Sequence, residues 1–379
     1  MNDSITICRI AGVRIGVNWS WLVVFGLITW SLAEAVFPET NPGRSTAVYV
    51  AMAVVAALLF FISLLLHELG HAVQARRDGM VIEGITLWLF GGVAKFRGMF
   101  PSAWAELRIA LAGPAVSAVL ALAFLGAGWL LPLPDVVDGV VTWLGVINVT
   151  LLIFNMLPAL PLDGGRVLRS LLWAGRRDFA WATRIASNIG RAFGVLIVAA
   201  GGVMLALWGA LGGIWLALIG WFLFQAAGAE QRALTARTAL GGLRVRDLMI
   251  TDPVCATPDE TLDDFAYVVV RPDMHTGYPV VDESGRAVGL LTLQALSEIP
   301  REDWRRHLVR ERMLPAAAVP RFGEGDDAYD ALTRIGAGGV GKGLVVRGDL
   351  LVGLLTLTDI TRAFELRRLG LGDAPPPRV

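Results

Sequence analysis

Residues 45–71 read STAVYVAMAVVAALLFFISLLLHELGH. No charged residue falls between Ser45 and Leu66, and no proline interrupts the stretch from Tyr49 to Arg76. A helix over such a run is long enough to cross the roughly 30 Å hydrocarbon core of a bilayer. Its last five residues are His67-Glu68-Leu69-Gly70-His71. Residues i and i+4 of a helix share one face, about 6 Å apart along the axis, so His67 and His71 can bind one tetrahedral divalent metal through their imidazoles. Glu68, next to His67, can then act as general base toward a water on that metal. Ionisable side chains at membrane depth cost roughly 2.5–3.5 kcal/mol each on insertion scales, and a bound cation offsets that cost. The plain alternative is a polar helix end that faces water.

A catalytic zinc keeps three protein ligands and one open position, so a third ligand must come from elsewhere. Glu83, Glu106, Asp163 and Glu230 are the candidates. Glu83 and Glu106 fall in the polar loop after the motif helix, and Glu230 lies beside Gln231 and Arg232 at a span's end. Asp163 is different. It closes the uncharged run 139–162, after Asn155-Met156-Leu157-Pro158-Ala159-Leu160-Pro161-Leu162. Pro158 and Pro161 stop a helix from continuing, and broken backbone at membrane depth is tolerated only inside protein or beside a wet cavity. Gly164 and Gly165 permit close approach. The segment therefore carries a carboxylate into an internal cavity, or else Asp163 simply caps the next helix.

These motifs resemble the site-2 protease family of intramembrane zinc metalloproteases. The resemblance rests on His67-Glu68-Leu69-Gly70-His71, Phe90-Gly91-Gly92, Ala112-Gly113-Pro114 and Asn155…Pro158…Asp163-Gly164, and covers roughly the first 240 residues. It implies one zinc held by His67, His71 and Asp163, Glu68 as general base, and Asn155 holding the substrate or the developing oxyanion. Ile85–Phe96 is β-prone with a turn at Gly91-Gly92. A substrate helix must unwind before attack, and Phe90, Gly91 and Gly92 are expected to bind the unwound piece as an added strand. The same segment could instead only plug the site.

The chain has 379 residues, 55% hydrophobic and 17% charged, with zero net charge. It is too apolar for an ordinary soluble protein, and nothing suggests nucleic acid as a partner. Cys8 and Cys255 are far apart and have no metal-ligand company. The first apolar run reads as a retained anchor rather than a cleaved signal. Spans are expected near 17–36 (with Trp19, Trp21 and Trp30 as interface anchors), 46–72, 109–131 and 140–158. Two more fit within 192–229, turning at 209–213. Basic residues cluster before span one, between spans two and three, after span four and after span six. By the positive-inside rule both termini are cytoplasmic, in a multi-pass protein of the cell membrane.

Composition changes after Gly241-Gly242, and an internal repeat follows. Tyr278–Thr292 parallels Gly343–Thr356: each copy is strand, turn, strand and helix, with a helix before it near 261–270 and 326–335. The region from about Arg244 to Arg368 resembles a tandem pair of CBS domains. Such pairs imply an adenine nucleotide (ATP, ADP or AMP) as ligand and a homodimer through the CBS domains as assembly. Gly353, Thr356 and Asp359 keep the ribose-contact pattern. In the first copy Gly289 and Thr292 are present, but Ala295 replaces the acid. Thr257 and Pro258 could line a base pocket. His275 and His307 have no partners at metal spacing.

The sequence thus describes a polytopic α-helical membrane protein of about six transmembrane helices, with a short β segment between helices two and three, plus a cytoplasmic α/β CBS-pair domain. The expected domains are 1–240, 244–300 and 305–368, with a disordered tail at 369–379. The expected activity is zinc-dependent hydrolysis of peptide bonds in or near transmembrane segments of membrane-anchored regulatory proteins, tuned by nucleotide. The rival readings are a CBS-regulated transporter and a silent scaffold with a bound metal.

Overall fold

The structure is a computed structural model, described over residues 4–10, 13–88, 91–97, 99–210, 212–269 and 276–371. Phe90, His275 and the tail beyond Leu371 lie outside the described residues. The chain divides into two compact units, Met1–Leu234 and Thr235–Val379.

The first unit opens with a hairpin absent from the sequence reading, β1 (Ser4–Ile10) and β2 (Val13–Asn18). Its short alternating strands are too brief to stand out beside long apolar runs. Asn18 accepts from the Ser20 N–H at 3.0 Å, and α1 (Ser20–Ser31) starts there, three residues later than expected. A π-helical turn at Leu32–Val36 leads into α2 (Phe37–Thr40). Trp19 and Trp30 are exposed, but Trp21 packs inward, its ring 5.3 Å from Phe25 and 5.0 Å from Phe61.

Helix α3 (Thr46–Arg77) has 32 residues and so is about 48 Å long, well beyond the hydrocarbon thickness. Then come β3 (Val81–Trp88) and β4 (Gly91–Arg97). The four strands form one sheet in the order β1-β2-β3-β4, with β2 parallel to β3 and β4 at an edge. Helix α4 (Ala103–Leu130) begins earlier than expected because the Ser102 hydroxyl accepts from the Ala105 N–H, which draws Glu106 into its first turn. Helix α5 (Asp135–Asn155) ends before Pro158, and α6 (Asp163–Arg176) follows a short broken segment.

The last two spans, α7 (Phe179–Trp208) and α8 (Gly212–Leu240), run well beyond the uncharged stretch that marked them. They pack backbone to backbone. A Cβ at Gly194 would stand 2.8 Å from the Gly220 carbonyl oxygen, and one at Gly201 would stand 2.4 Å from that of Gly213. Close small-residue contact of this kind holds helices together where lipid leaves no hydrophobic drive. Among the described residues, 6 helices are long and apolar enough to cross a membrane.

The second unit takes in the end of α8 and continues with α9 (Val245–Leu248). Its first repeat is α10 (Leu262–Val269), β5 (Gly277–Val281), β6 (Ala287–Thr292) and α11 (Leu293–Ser297), followed by α12 (Val309–Arg312) and β7 (Leu314–Pro315). The second is β8 (Arg321–Phe322), α13 (Ala328–Ala337), β9 (Lys342–Arg347), β10 (Leu350–Thr356) and α14 (Leu357–Arg368). The two three-stranded sheets run β5-β6-β7 and β10-β9-β8. Each copy has its own core, around Phe265 and Phe322, both fully buried. Each such phenylalanine stabilises by roughly 1.5–3 kcal/mol. A third cluster, Ala287, Leu290, Val319, Leu344 and Leu354, joins the copies.

Candidate metal centre

Two helices and a broken segment build the centre. His67 and His71 lie one turn apart on the buried face of α3. The Nδ1 atom of each is already engaged. His71 Nδ1 is 2.6 Å from the Ile109 carbonyl oxygen, and His67 Nδ1 is 2.9 Å from Ser117 Oγ, both on α4. A carbonyl only accepts, so His71 Nδ1 carries a hydrogen, and in the neutral ring Nε2 keeps its lone pair. Outer partners of this kind fix the ring orientation of metal-binding histidines.

Asp163 is the first residue of α6, and its carboxylate turns to the histidines rather than capping the helix. Gly164 and Gly165 seat that first turn on the broken segment. Their Cβ atoms would fall 2.3 Å from the Met156 carbonyl oxygen and 2.2 Å from the Leu160 nitrogen. Asp163 Oδ2 lies 3.2 Å from His67 Nε2 and 3.2 Å from His71 Nε2, and the two Nε2 atoms are 3.2 Å apart. All three residues are buried. Two ligand atoms each about 2.0–2.1 Å from a tetrahedral zinc stand about 3.3 Å apart. When both rings present Nε2 lone pairs, three electron-pair donors converge at this spacing on a point where a cation fits. The donor set and its dimensions therefore fit a divalent metal.

Gly113 makes room for the cluster. A Cβ there would stand 2.2 Å from His71 Nε2 and 2.7 Å from His67 Nε2, so only glycine lets the α4 backbone pass the histidine pair. Glu68 lies under the sheet: a Cβ on Gly92 would lie 2.3 Å from Glu68 Cγ. The edge strand β4 thus runs directly over the Glu68 side chain. Asn155 ends α5, half-buried, and makes no side-chain hydrogen bond among the described residues.

Two of the other acidic candidates, Glu106 and Glu230, are occupied. Glu106 is buried and accepts twice from Arg169 of α6, while Glu230 of α8 accepts once from the same guanidinium. Glu106 lies in a helix rather than the polar loop expected for it. One more polar pair lies a turn along α3 from His67. Asn148, on α5, donates to Leu144 at 2.8 Å and to Ser63 at 3.4 Å, and its buried Oδ1 has no partner. The sequence hinted at it only as one amide inside an apolar span. The cysteines form no disulfide. Burial and then Asp252 push the Cys255 thiol up to about 11, so it is inert at neutral pH.

In the second unit the two copies differ as their sequences do. Thr292 accepts from the Ala295 N–H at 3.2 Å. Thr356 accepts from the Asp359 N–H at 3.2 Å and also donates to its carboxylate at 2.6 Å. The side of Gly353 is filled: a Cβ would meet the Ile250 carbonyl oxygen at 2.8 Å and Met249 Sδ at 2.9 Å. Gly289 is filled alike by Leu314 and Met313. Only backbone remains at Gly353 for a ligand. These contacts expose a further piece of the repeat missed in the sequence, Val245-Arg246-Asp247-Leu248-Met249-Ile250 against Val309-Arg310-Glu311-Arg312-Met313-Leu314. His307 pairs with Glu311 at 2.9 Å.

Residues 55–133 and 133–201 match the family model for peptidase family M50, and residues 245–301 match that for the CBS domain. Rip3 of Mycobacterium tuberculosis (strain H37Rv), named as a zinc metalloprotease, is 38% identical over 375 residues, covering 97% of this chain and 95% of that protein. The metalloprotease sll0528 of Synechocystis is 33% identical over 308 residues, 80% of each chain. Zinc metalloprotease MJ0392 of Methanocaldococcus jannaschii is 29% identical over 369 residues, 97% of this chain and 98% of that one.

Proposed function

The chain belongs to peptidase family M50, the site-2 proteases, as an intramembrane zinc metalloprotease with a CBS domain, and from that premise we propose the role of each residue in its centre. His67, His71 and Asp163 hold the zinc. Glu68 takes the proton of the attacking water and returns it to the leaving amine. Asn155 donates its amide N–H to the substrate carbonyl as negative charge develops there. Zinc, when bound, supplies a Lewis acid and brings its water's pKa toward about 7. The observation that carries this reading is the triangle of three buried donor atoms at 3.2 Å.

The substrate is a transmembrane segment of another protein, and its unwound part adds to the edge of β4 at Phe90-Gly91-Gly92. Support comes from Gly92, whose bare Cα lies against Glu68 and so brings a paired strand beside the proton carrier. Both termini and the second unit are cytoplasmic. The parallel pairing of Ile15 with Ile85 supports a common side for the segments before α1 and after α3, and the basic residues flanking the spans support that side being cytoplasmic. Thr356, Asp359 and the Gly353 backbone take the ribose of an adenine nucleotide, and the CBS pair joins two copies of the chain. The metalloprotease names of Rip3, sll0528 and MJ0392 favour the protease over the transporter and scaffold readings.

Glu68→Gln tests the assignment. The purified full chain should keep its zinc and lose cleavage of a co-expressed membrane substrate. Full cleavage by Glu68→Gln would refute the proton role.

A further inference from the structure

A second buried polar cluster lies on another side of α6. Arg169 follows Asp163 by six residues, about 9 Å along the helix. Its guanidinium is enclosed, 3% exposed, and donates to Glu106 Oε1 of α4 from Nε at 2.7 Å and from Nη2 at 2.5 Å. Phe100 and Phe179 cover it, with ring centroids 5.9 and 5.1 Å away. Nη1 reaches Glu230 Oε2 of α8 at 3.3 Å.

One carboxylate neutralises one guanidinium. Glu106, fully buried, already does so, and a clamp between α4 and α6 needs nothing more. Glu230 is the outer partner, at the longest of the three distances, and its side chain is 36% exposed. It is the one member of the cluster within reach of water. It also sits on the helix that runs without interruption past Leu234 into the second unit. The front of α6 is seated on the broken segment through Gly164 and Gly165, and Arg169 holds the helix further along. The position of Asp163 thus depends on that glycine seat and, behind it, on what Arg169 holds.

We propose that Arg169 is a positioning residue that ties the metal seat to α8: its link to Glu230 makes the hold of α6 on Asp163 depend on where α8 lies. This rests on the reading of Asp163 as a metal ligand. Movement of α8 changes the Glu230 link first, because that link is the longest and most solvated. A loosened α6 lets the Asp163 carboxylate drift from the histidines, and the metal leaves faster. The second unit thereby gains a route to the centre through covalent continuity of one helix.

The test uses the full chain in detergent, loaded with zinc and separately with cobalt. Metal release to a chelator is timed, and the visible cobalt spectrum reports the ligand set. Glu230→Gln keeps the size of the side chain and removes its charge. It should speed release by about tenfold, at the low end for outer partners of metal ligands, and Arg169→Lys should do so at least as much. The unfolding temperature of Glu230→Gln should stay near wild type. Wild-type release in Glu230→Gln overturns the proposal, whatever Arg169→Lys does, because the half-exposed site tolerates the change. Asp163→Ala is the control: if it holds metal as well as wild type, the ligand reading fails and the release data for the other variants no longer bear on α6.

Discussion

Two buried three-residue clusters share helix α6, and they are opposites. At Arg169, Glu106 and Glu230 the protein provides its own cation. At His67, His71 and Asp163 it provides two imidazole nitrogens and a carboxylate, aimed at one point. Both sit where unpaired charge is expensive. The first carries its own cation, though Glu106 Oε2 is left without a hydrogen-bond partner, and has a structural explanation. The second is complete only with a cation from outside, and that incompleteness marks it as a site. A buried polar cluster is therefore best judged by whether its charges close, rather than by its burial.

The sharpest way to break this contrast is to remove one member from each cluster. His71→Ala leaves two ligands, so metal analysis should find the zinc gone and cleavage should fall by about 10²–10⁴-fold or more, as expected when proton transfer loses its water. Arg169→Ala strands Glu106 as a buried charge and should destabilise the membrane unit by roughly 3–5 kcal/mol, read as a large drop in unfolding temperature. A double replacement sharpens it further. Arg169→Met with Glu106→Leu should recover most of that stability, since apolar residues of similar volume often replace a buried ion pair at little cost. No apolar replacement at His67 and His71 should restore zinc.

Gly113→Ala adds a single methyl where the histidine nitrogens lie 2.2 and 2.7 Å away. It should lower zinc affinity, by about 10–100-fold if its effect matches that of losing an outer partner, with helix content unchanged by circular dichroism. The smallest effect is expected between the two CBS copies. Asp359→Ala should weaken ATP binding to the full chain by about tenfold, the loss of one charged hydrogen bond. Isothermal titration should find a smaller change on Ala295→Asp, which supplies the missing carboxylate without the rest of a ribose site.

Much of this molecule was legible in its residues. Long uncharged runs identify spans because a bilayer admits no other composition at that length. His67 and His71 show themselves because helical spacing is local, and Asp163 stood out because two prolines and two glycines surround it. The β1–β2 hairpin was missed because its partner, β3, is some seventy residues away, and a short strand carries little signal alone. Span ends were misplaced where capping by Asn18 or Ser102, rather than hydropathy, sets the helix start.

The sequence by itself determined the membrane architecture, the repeat in the second unit and the identity of the candidate ligands, because each rests on periodicity or on composition within one segment. Tertiary structure alone decided which acids were free. Glu106, Glu230 and Asp163 are equivalent as letters. Arg169 claims the first two, and the glycine-seated start of α6 presents the third to the histidines. That choice depends on distances between helices far apart in the chain, and charge pairing across such distances leaves no mark on local sequence.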